Sequence, residues 1–344
     1  MKHVFGVAVV LLHIGFAQAV EEPFVELKGH TGVVWRAVFS PDGKKVMTGG
    51  TGFPSPTAES VRIWDVRSGK ELQKFEGVLY ADFSPDGRKI AIGESRHRFV
   101  RIRDAESGKE LQTLKGHSPI FFPDNERIIT EGWDRRILQI WNIESGKELQ
   151  TFKGDSLVLS PDGKKIATRI SDGTLCIFDV ESEAEILKLE AMRCIFSPDG
   201  KRIATTDYDA REFSSSVTEP FQLTSRIWDV ESGRELHKLE GDSGIFSPNG
   251  KKIATARIEG NVKIWNVESG RELHELRGDN VIAFSTDGKI VTTDDGNTRI
   301  WGTESGKELQ TLKGYHPLAL SPDGKKVITG YGAGGTARIW TLEP

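Results

Sequence analysis

The chain has 344 residues, of which 28% are charged, and its formal net charge is −4. This length is enough for one or two domains with a substantial core, and the slight acidity argues against a protein that coats DNA or anionic lipid. Two cysteines exclude both a disulfide-scaffolded chain and a four-cysteine zinc site. The 37 glycines and 14 prolines are too many for a helix-rich fold.

Residues 1–19 have the three parts of a secretory signal peptide. Met1-Lys2-His3 is a short basic start, the residues from Val4 to Phe16 form a mostly apolar run, and Ala17-Gln18-Ala19 is a small-residue cleavage pattern. The apolar run is shorter than the roughly 20 residues that span a bilayer, and an uncleaved anchor is the alternative. We predict cleavage after Ala19, export to the periplasm or the extracellular space, and no membrane insertion of the mature protein.

A repeat occupies residues 20–344. It reads Phe39-Ser40-Pro41-Asp42-Gly43, then Val61-Arg62-Ile63-Trp64-Asp65, then Ser68-Gly69-Lys70-Glu71-Leu72. The proline and glycine positions are typical of tight turns, and the β-branched and aromatic runs between the turns predict short strands. A period of about 40 residues with four short strands is typical of propeller blades. The position of Trp64 recurs eight times, at Trp64, Arg103, Trp141, Phe178, Trp228, Trp265, Trp301 and Trp340.

The repeats resemble those of the WD-repeat β-propeller family. Ile63-Trp64-Asp65 and Ile227-Trp228-Asp229 match the Trp-Asp strand ends of that family, and Gly29-His30 and Gly116-His117 match its Gly-His pair. The resemblance implies an all-β propeller, here of eight four-stranded blades, and a role in interaction rather than catalysis. The expected function is inferred only from the similarity of fold to that family.

The resemblance also implies how the ring closes. The last copy stops at Trp340 without an outer strand, and the segment from Phe24 to His30 looks like the missing strand. We therefore expect the N-terminal strand to be the outer strand of blade eight, which leaves no exposed sheet edge at the chain ends. Later Gly-His positions hold other residues, so the hydrogen-bond network from that histidine is expected to be altered in most blades. These residues are Asp155, Asp242, Asp279 and Tyr315.

Candidate catalytic and metal-binding motifs are explained by the repeat. Gly154-Asp155-Ser156-Leu157 and Gly241-Asp242-Ser243-Gly244 resemble hydrolase nucleophile motifs, but both occupy the position of Gly116-His117-Ser118. Asp294-Asp295 and the Gly-Asp aspartates could hold calcium, and turn capping is the expected role instead. We predict no catalytic residue, no metal and no cofactor.

The two cysteines fall on neighbouring blades, Cys176 in blade four and Cys194 in blade five. Export would permit a disulfide, but nothing in the sequence fixes their separation. We expect two unpaired, buried thiols.

Sequence variation is concentrated in loops that a propeller places on its upper face. Blade two offers Arg96-His97-Arg98, blade three offers Trp133 to Arg136, and blade five has an insertion from Asp207 to Thr224. Aromatic and arginine side chains are enriched at interface hot spots. The predicted binding residues are Phe53, Arg96, His97, Trp133, Arg135, Arg136, Tyr208, Arg211, Phe213 and Phe221. The lower-face turns are nearly identical, and we expect them to form solvated ion pairs worth roughly 0–1 kcal/mol each.

These features favour an exported, non-enzymatic scaffold that binds a protein, with a cell-surface polymer as the other ligand class and no nucleic acid. Two alternatives stay open. A propeller enzyme of hydrolase or lactonase type would need carboxylates or histidines with shifted pKa values that converge at the mouth of the central channel. A purely structural module of an envelope assembly would make no use of the upper loops.

Overall fold

A computed structural model describes residues 24–50, 60–94, 98–133, 136–170, 173–207, 224–256, 260–313, 316–331 and 335–342. The regular elements in these ranges are 32 β-strands, and they form eight antiparallel four-stranded sheets. In the described residues there is no helix with the length and apolar character that crossing a membrane requires. The predicted eight-bladed, all-β propeller is confirmed.

The first strand, β1 (Phe24–Lys28), precedes the first complete blade. Blade one consists of β2 (Val34–Phe39), β3 (Lys45–Gly50), β4 (Ser60–Asp65) and β5 (Glu71–Glu76). Blade two consists of β6 (Val78–Phe83), β7 (Lys89–Glu94), β8 (Phe99–Asp104) and β9 (Glu110–Lys115). Blade three consists of β10 (His117–Phe121), β11 (Arg127–Glu131), β12 (Ile137–Asn142) and β13 (Glu148–Lys153). Blade four consists of β14 (Asp155–Leu159), β15 (Lys165–Arg169), β16 (Thr174–Asp179) and β17 (Glu185–Glu190).

The second half of the ring repeats this order. Blade five consists of β18 (Arg193–Phe196), β19 (Arg202–Asp207), β20 (Thr224–Asp229) and β21 (Glu235–Glu240). Blade six consists of β22 (Asp242–Phe246), β23 (Lys252–Ala256), β24 (Asn261–Asn266) and β25 (Glu272–Arg277). Blade seven consists of β26 (Asn280–Phe284), β27 (Lys289–Asp294), β28 (Asn297–Gly302) and β29 (Glu308–Leu312). The last three strands are β30 (His316–Leu320), β31 (Lys326–Tyr331) and β32 (Thr336–Thr341).

The chain ends share one sheet, whose strand order is β1-β32-β31-β30. β1 runs antiparallel to β32, with Phe24 opposite Trp340 and Lys28 opposite Thr336. Leu27 of β1 is 1% exposed and packs into the core between blades eight and one. The predicted closure of the ring by the N-terminal strand is therefore confirmed.

An ion pair between the third and outer strands recurs around the ring and includes the closing strand. In blades two, five and seven an arginine of the third strand meets a glutamate of the outer strand: Arg101–Glu110 at 2.9 Å, Arg226–Glu235 at 2.8 Å and Arg299–Glu308 at 2.6 Å. In blade eight Arg338 instead meets Glu26, its direct register partner on β1, at 3.4 Å. β1 thus supplies a glutamate to the third-strand arginine as the outer strands do, but from a different strand position.

The apolar cores lie between adjacent blades, because each sheet has two faces and the next blade covers one of them. The core between blades one and two joins Met47, Ile63 and Val78 to Phe83 and Ile90, all of them buried. A blade on its own would expose these side chains, so the blades are stable only as a stack.

The two faces of the disc differ in their loops. The Ser-Pro-Asp-Gly and Glu-Ser-Gly-Lys turns lie on the lower face, while the links between blades and the loops between second and third strands lie on the upper face. Ion pairs join lower-face groups of neighbouring blades, as predicted: Arg202 meets Glu268 at 2.7 Å and Lys252 meets Glu304 at 2.6 Å. Both glutamates are largely exposed, so each pair contributes little to stability.

Candidate functional site

Two of the ten predicted binding residues, Trp133 and Arg136, lie in the part of the chain that the structure describes, and both are exposed. The other eight lie outside the described residues: Phe53, Arg96, His97, Arg135, Tyr208, Arg211, Phe213 and Phe221. The prediction for those eight therefore stays a prediction. The described pair falls on the upper face of blade three, at its border with blade two.

Trp133 forms one wall of a groove on the upper rim between blades two and three. The Arg98 guanidinium lies 5.5 Å from the centre of the Trp133 ring, a distance at which cation–π attraction operates. Trp133 and Phe99 remain 44% and 41% exposed, although large apolar side chains are usually covered. The groove has a volume of about 380 Å³ and is lined by Arg98, Phe99, Lys115, Gly116, Gly132, Trp133, Ile137 and Gln139.

Sequence reasoning missed most of this lining. Arg98 was recognised only as part of a basic tripeptide, and Phe99, Lys115 and Gln139 were not singled out. Phe99 begins β8 and Lys115 ends β9, and these two residues are register partners at the upper edge of blade two. An apolar residue at a strand start where the other repeats have a polar one is the signal that would have found Phe99.

A second feature of the upper face is the hydrogen-bond network of His30 in blade one. The Trp64 indole Nε1 donates to Thr48 Oγ1 at 2.7 Å, and His30 Nε2 lies 2.8 Å from the same hydroxyl. Ser60 Oγ lies 3.3 Å from His30 Nδ1. Burial lowers the pKa of His30 to about 4, and the positive charge of Arg62 lowers it further in the same direction. The imidazole is therefore neutral at physiological pH.

The hydrogen-bond network is altered in blades three, four, six and seven, where a backbone carbonyl takes the place of the histidine. The tryptophan-to-threonine hydrogen bond is kept, for example Trp141 Nε1 to Thr130 Oγ1 at 2.9 Å. The threonine hydroxyl then donates to the last residue of the preceding outer strand, at 2.9 Å from Thr130 to the carbonyl of Lys115. Thr255 and Thr292 donate to the carbonyl at the same position, whereas Thr168 donates to the carbonyl of Asp155, the first residue of β14.

His117 shows this change most clearly, because its Gly-His sequence is retained. Its ring does not sit over Thr130. Instead, His117 Nδ1 lies 3.0 Å from Ser118 Oγ and 3.5 Å from Glu131 Oε2, and the ring meets Trp133 edge-on at 5.6 Å. A β-bulge between His117 and Ile120, with Ser118 at φ 48°, turns these side chains toward the channel side of blade three.

A cavity of about 270 Å³ opens on the central channel beside these residues and is lined by first-strand residues of blades one to four and by Glu131 of β11. Burial raises the pKa of Asp82 and of Glu131, which both line it, and the charges of Arg36 and of His117, respectively, oppose the shift. Arg36 lies 3.8 Å from Asp82. The sequence alone does not show this pair of carboxyl groups, because the ring brings together residues of separate blades.

Three aspartates of blade seven also converge, with ligand oxygens of Asp279, Asp294 and Asp295 within 4.8 Å of one another. Their charge is met by arginines and backbone amides. Arg277 and Arg299 bind Asp294 at 2.8 and 2.7 Å, and the Asp295 amide donates to Asp279 at 3.0 Å. The last contact is the turn-capping role that the sequence predicts.

Both cysteines are free thiols. Cys176 is buried and Cys194 is half-buried, and burial raises the pKa of the Cys194 thiol to about 12. A thiol so reluctant to ionise is a poor nucleophile.

Comparison of the sequence with models of known protein families detects the repeat in three segments of the chain. A model described as "WD domain, G-beta repeat" matches residues 21–65, 233–266 and 306–341. Each matched segment spans an outer strand and the first three strands of the next blade, and each contains a tryptophan bound to a threonine hydroxyl. No curated protein sequence matches the chain. The chain is therefore an eight-bladed β-propeller, three segments of which are similar to the WD repeat.

Proposed function

We propose that this protein is an exported, non-enzymatic scaffold that binds a partner protein through the upper face of its propeller. Propellers built from WD40 repeats are commonly protein-interaction scaffolds, and three segments of this chain match that repeat. The observation that carries the proposal is the rim groove, where Trp133 and Phe99 stay exposed beside cationic side chains. Export rests on the signal-peptide pattern of residues 1–19.

The proposal is tested by capturing proteins from the native extracytoplasmic fraction and measuring the affinity of the purified partner for defined variants. The variant Trp133→Ala/Arg135→Ala/Arg136→Ala is expected to raise Kd at least about tenfold, because truncating an aromatic anchor costs a hot-spot contribution. Trp35→Ala is the matched control, since Trp35 is 41% exposed on blade one. Equal binding by the wild type and the triple variant would contradict the proposed face.

The channel cavity favours a second candidate, an enzyme with its site at the channel. Two carboxyl groups with raised pKa values line this cavity, and one of them, Glu131, lies 3.5 Å from His117, a kind of pair found in acid–base catalysis. The geometry does not form a nucleophilic triad, however. Ser118 and Glu131 both approach the same nitrogen of His117, whereas a triad uses the two ring nitrogens separately.

A screen of ester, lactone and glycoside substrates separates the two candidates. With a scaffold, the wild type and Glu131→Gln hydrolyse every substrate at the same background rate. A wild-type rate that falls about 100-fold or more in Glu131→Gln, with an unchanged melting temperature, would establish the enzyme.

A further inference from the structure

Two neighbouring blades differ from the other six at the upper edge of the third strand. The first residue of that strand is hydrophobic in blades two and three, where it is Phe99 or Ile137, and both residues line the rim groove. In the other blades it is a serine, threonine or asparagine: Ser60, Thr174, Thr224, Asn261, Asn297 and Thr336. The repeat does not require an apolar residue at this position. The apolar residues of these two adjoining blades are therefore expected to contact a partner.

Blades two and three also carry lysine at the upper end of the outer strand, a residue that blades seven and eight share as Lys313 and Lys28. Among the eight described positions, only blades two and three combine this lysine with a hydrophobic residue opposite it. Lys115 and Lys153 pair in register with Phe99 and Ile137. Glutamates hold this position in blades one, four and five, namely Glu76, Glu190 and Glu240.

The basic residues at this position differ in their contacts. Lys28 and Arg277 each bind a carboxylate, at 2.7 Å from Glu26 and 2.8 Å from Asp294. Lys115 and Lys153 make no such ion pair with any residue that the structure describes, and both are exposed. An anionic ligand at this edge would meet their positive charge.

Two arginines add positive charge beside Lys115 and Lys153, and we call these four residues the basic sector. Arg98 precedes Phe99 and Arg136 precedes Ile137, and both are exposed. Arg98 lies over the Trp133 ring, and a guanidinium held over an aromatic ring can still donate hydrogen bonds to a carboxylate. Two carboxylates close to the groove already have partners, since Glu131 lies 3.5 Å from His117 and Glu148 accepts a hydrogen bond from Gln139 at 2.8 Å. The protein has a net charge of −4, so this positive sector is a local feature and not a consequence of composition.

We propose that the rim groove between blades two and three binds an acidic peptide segment of the partner protein, one that combines an apolar side chain with neighbouring carboxylates. The apolar side chain lies between Phe99 and Trp133, and the carboxylates face Arg98 and Lys115. A volume of about 380 Å³ is sufficient for such an anchor. This inference rests on the proposed function and specifies the chemistry of its partner.

The test uses a phage library of random 12-residue peptides, selected on the mature protein and depleted on Phe99→Ala/Lys115→Gln. We expect enriched peptides to carry Asp or Glu within two residues of Phe, Trp, Leu or Ile. The best peptide, made synthetically, should bind the Phe99→Ala/Lys115→Gln variant at least tenfold more weakly. Its binding should also weaken at least tenfold when its acids are changed to amides, and should fall with added salt.

The matched control is Thr336→Ala/Lys28→Gln, which changes the same two strand positions in blade eight and should leave the peptide Kd within twofold. Selection of basic peptides, selection of none, or equal binding to the Phe99→Ala/Lys115→Gln variant would overturn the acidic-segment inference. If, in those cases, the affinity of a captured partner still depends on Trp133, the proposed function is retained. If that affinity does not depend on Trp133, both the acidic-segment inference and the proposed binding face are contradicted.

Discussion

Deleting the residues from Phe24 to Gly29 is expected to lower the free energy of unfolding by at least about 5 kcal/mol. The deletion removes β1, whose five residues pair with β32, and leaves β32 as an open sheet edge. It also removes Leu27, whose buried side chain alone accounts for about 2–5 kcal/mol. Urea denaturation of the purified proteins measures the loss, and an unchanged unfolding midpoint would contradict ring closure by β1.

Two single substitutions test the packing of β1 independently, in case the deleted chain does not fold. Leu27→Ala should cost about 2–5 kcal/mol, because it opens a cavity between blades eight and one. Leu72→Ala should cost no more than about 0.5 kcal/mol, because Leu72 lies on the outer strand of blade one with 43% of its surface exposed. Equal effects of the two substitutions would mean that β1 is not packed as described.

The second large effect is a loss of stability in mild acid that comes from His30. The folded state holds the pKa of His30 at about 4, below its ordinary value of 6.5, so the unfolded chain takes up a proton first as the pH falls. The stability that neutral His30 provides is complete above pH 6.5 and is lost between pH 6.5 and 4. By linkage the loss is about 2 kcal/mol at pH 5 and about 3 kcal/mol at pH 4.

Urea denaturation at pH 7 and pH 5 measures this effect, with His30→Gln as the comparison. The stability of wild type should fall by about 2 kcal/mol more than that of the variant over this interval. Titration of histidine ring signals by NMR gives a direct value, and a His30 pKa near 6.5 in the folded protein would exclude the mechanism.

The architecture was predictable because the start and end of each blade can be recognised from local sequence features. The turn prolines, the Trp64 position and the missing outer strand after Trp340 are all local features of the sequence, and together they specify eight blades and the role of β1. The lower-face ion pairs were predictable for the same reason, since identical turns in successive blades meet in the same way.

The rim groove and the channel cluster were not predictable in full, because both join residues of different blades. Phe99 and Trp133 are far apart in sequence and meet only when blades two and three stack. The contact of Ser118 with His117 depends on a β-bulge, which shifts side-chain direction without a strong sequence signature. The replacement of His30 by a backbone carbonyl in other blades is invisible in side-chain identities, since every residue has a carbonyl.

The pairing of β1 with β32 also determines which face of the propeller lies next to an attachment near the chain ends. Phe24 and Trp340 are register partners at the lower end of this sheet, so the described part of the chain begins and ends on the face opposite the rim groove. An attachment next to either of these residues therefore lies on the face away from the groove. The same geometry would present the groove outward from a membrane or a larger assembly that held the protein by its end.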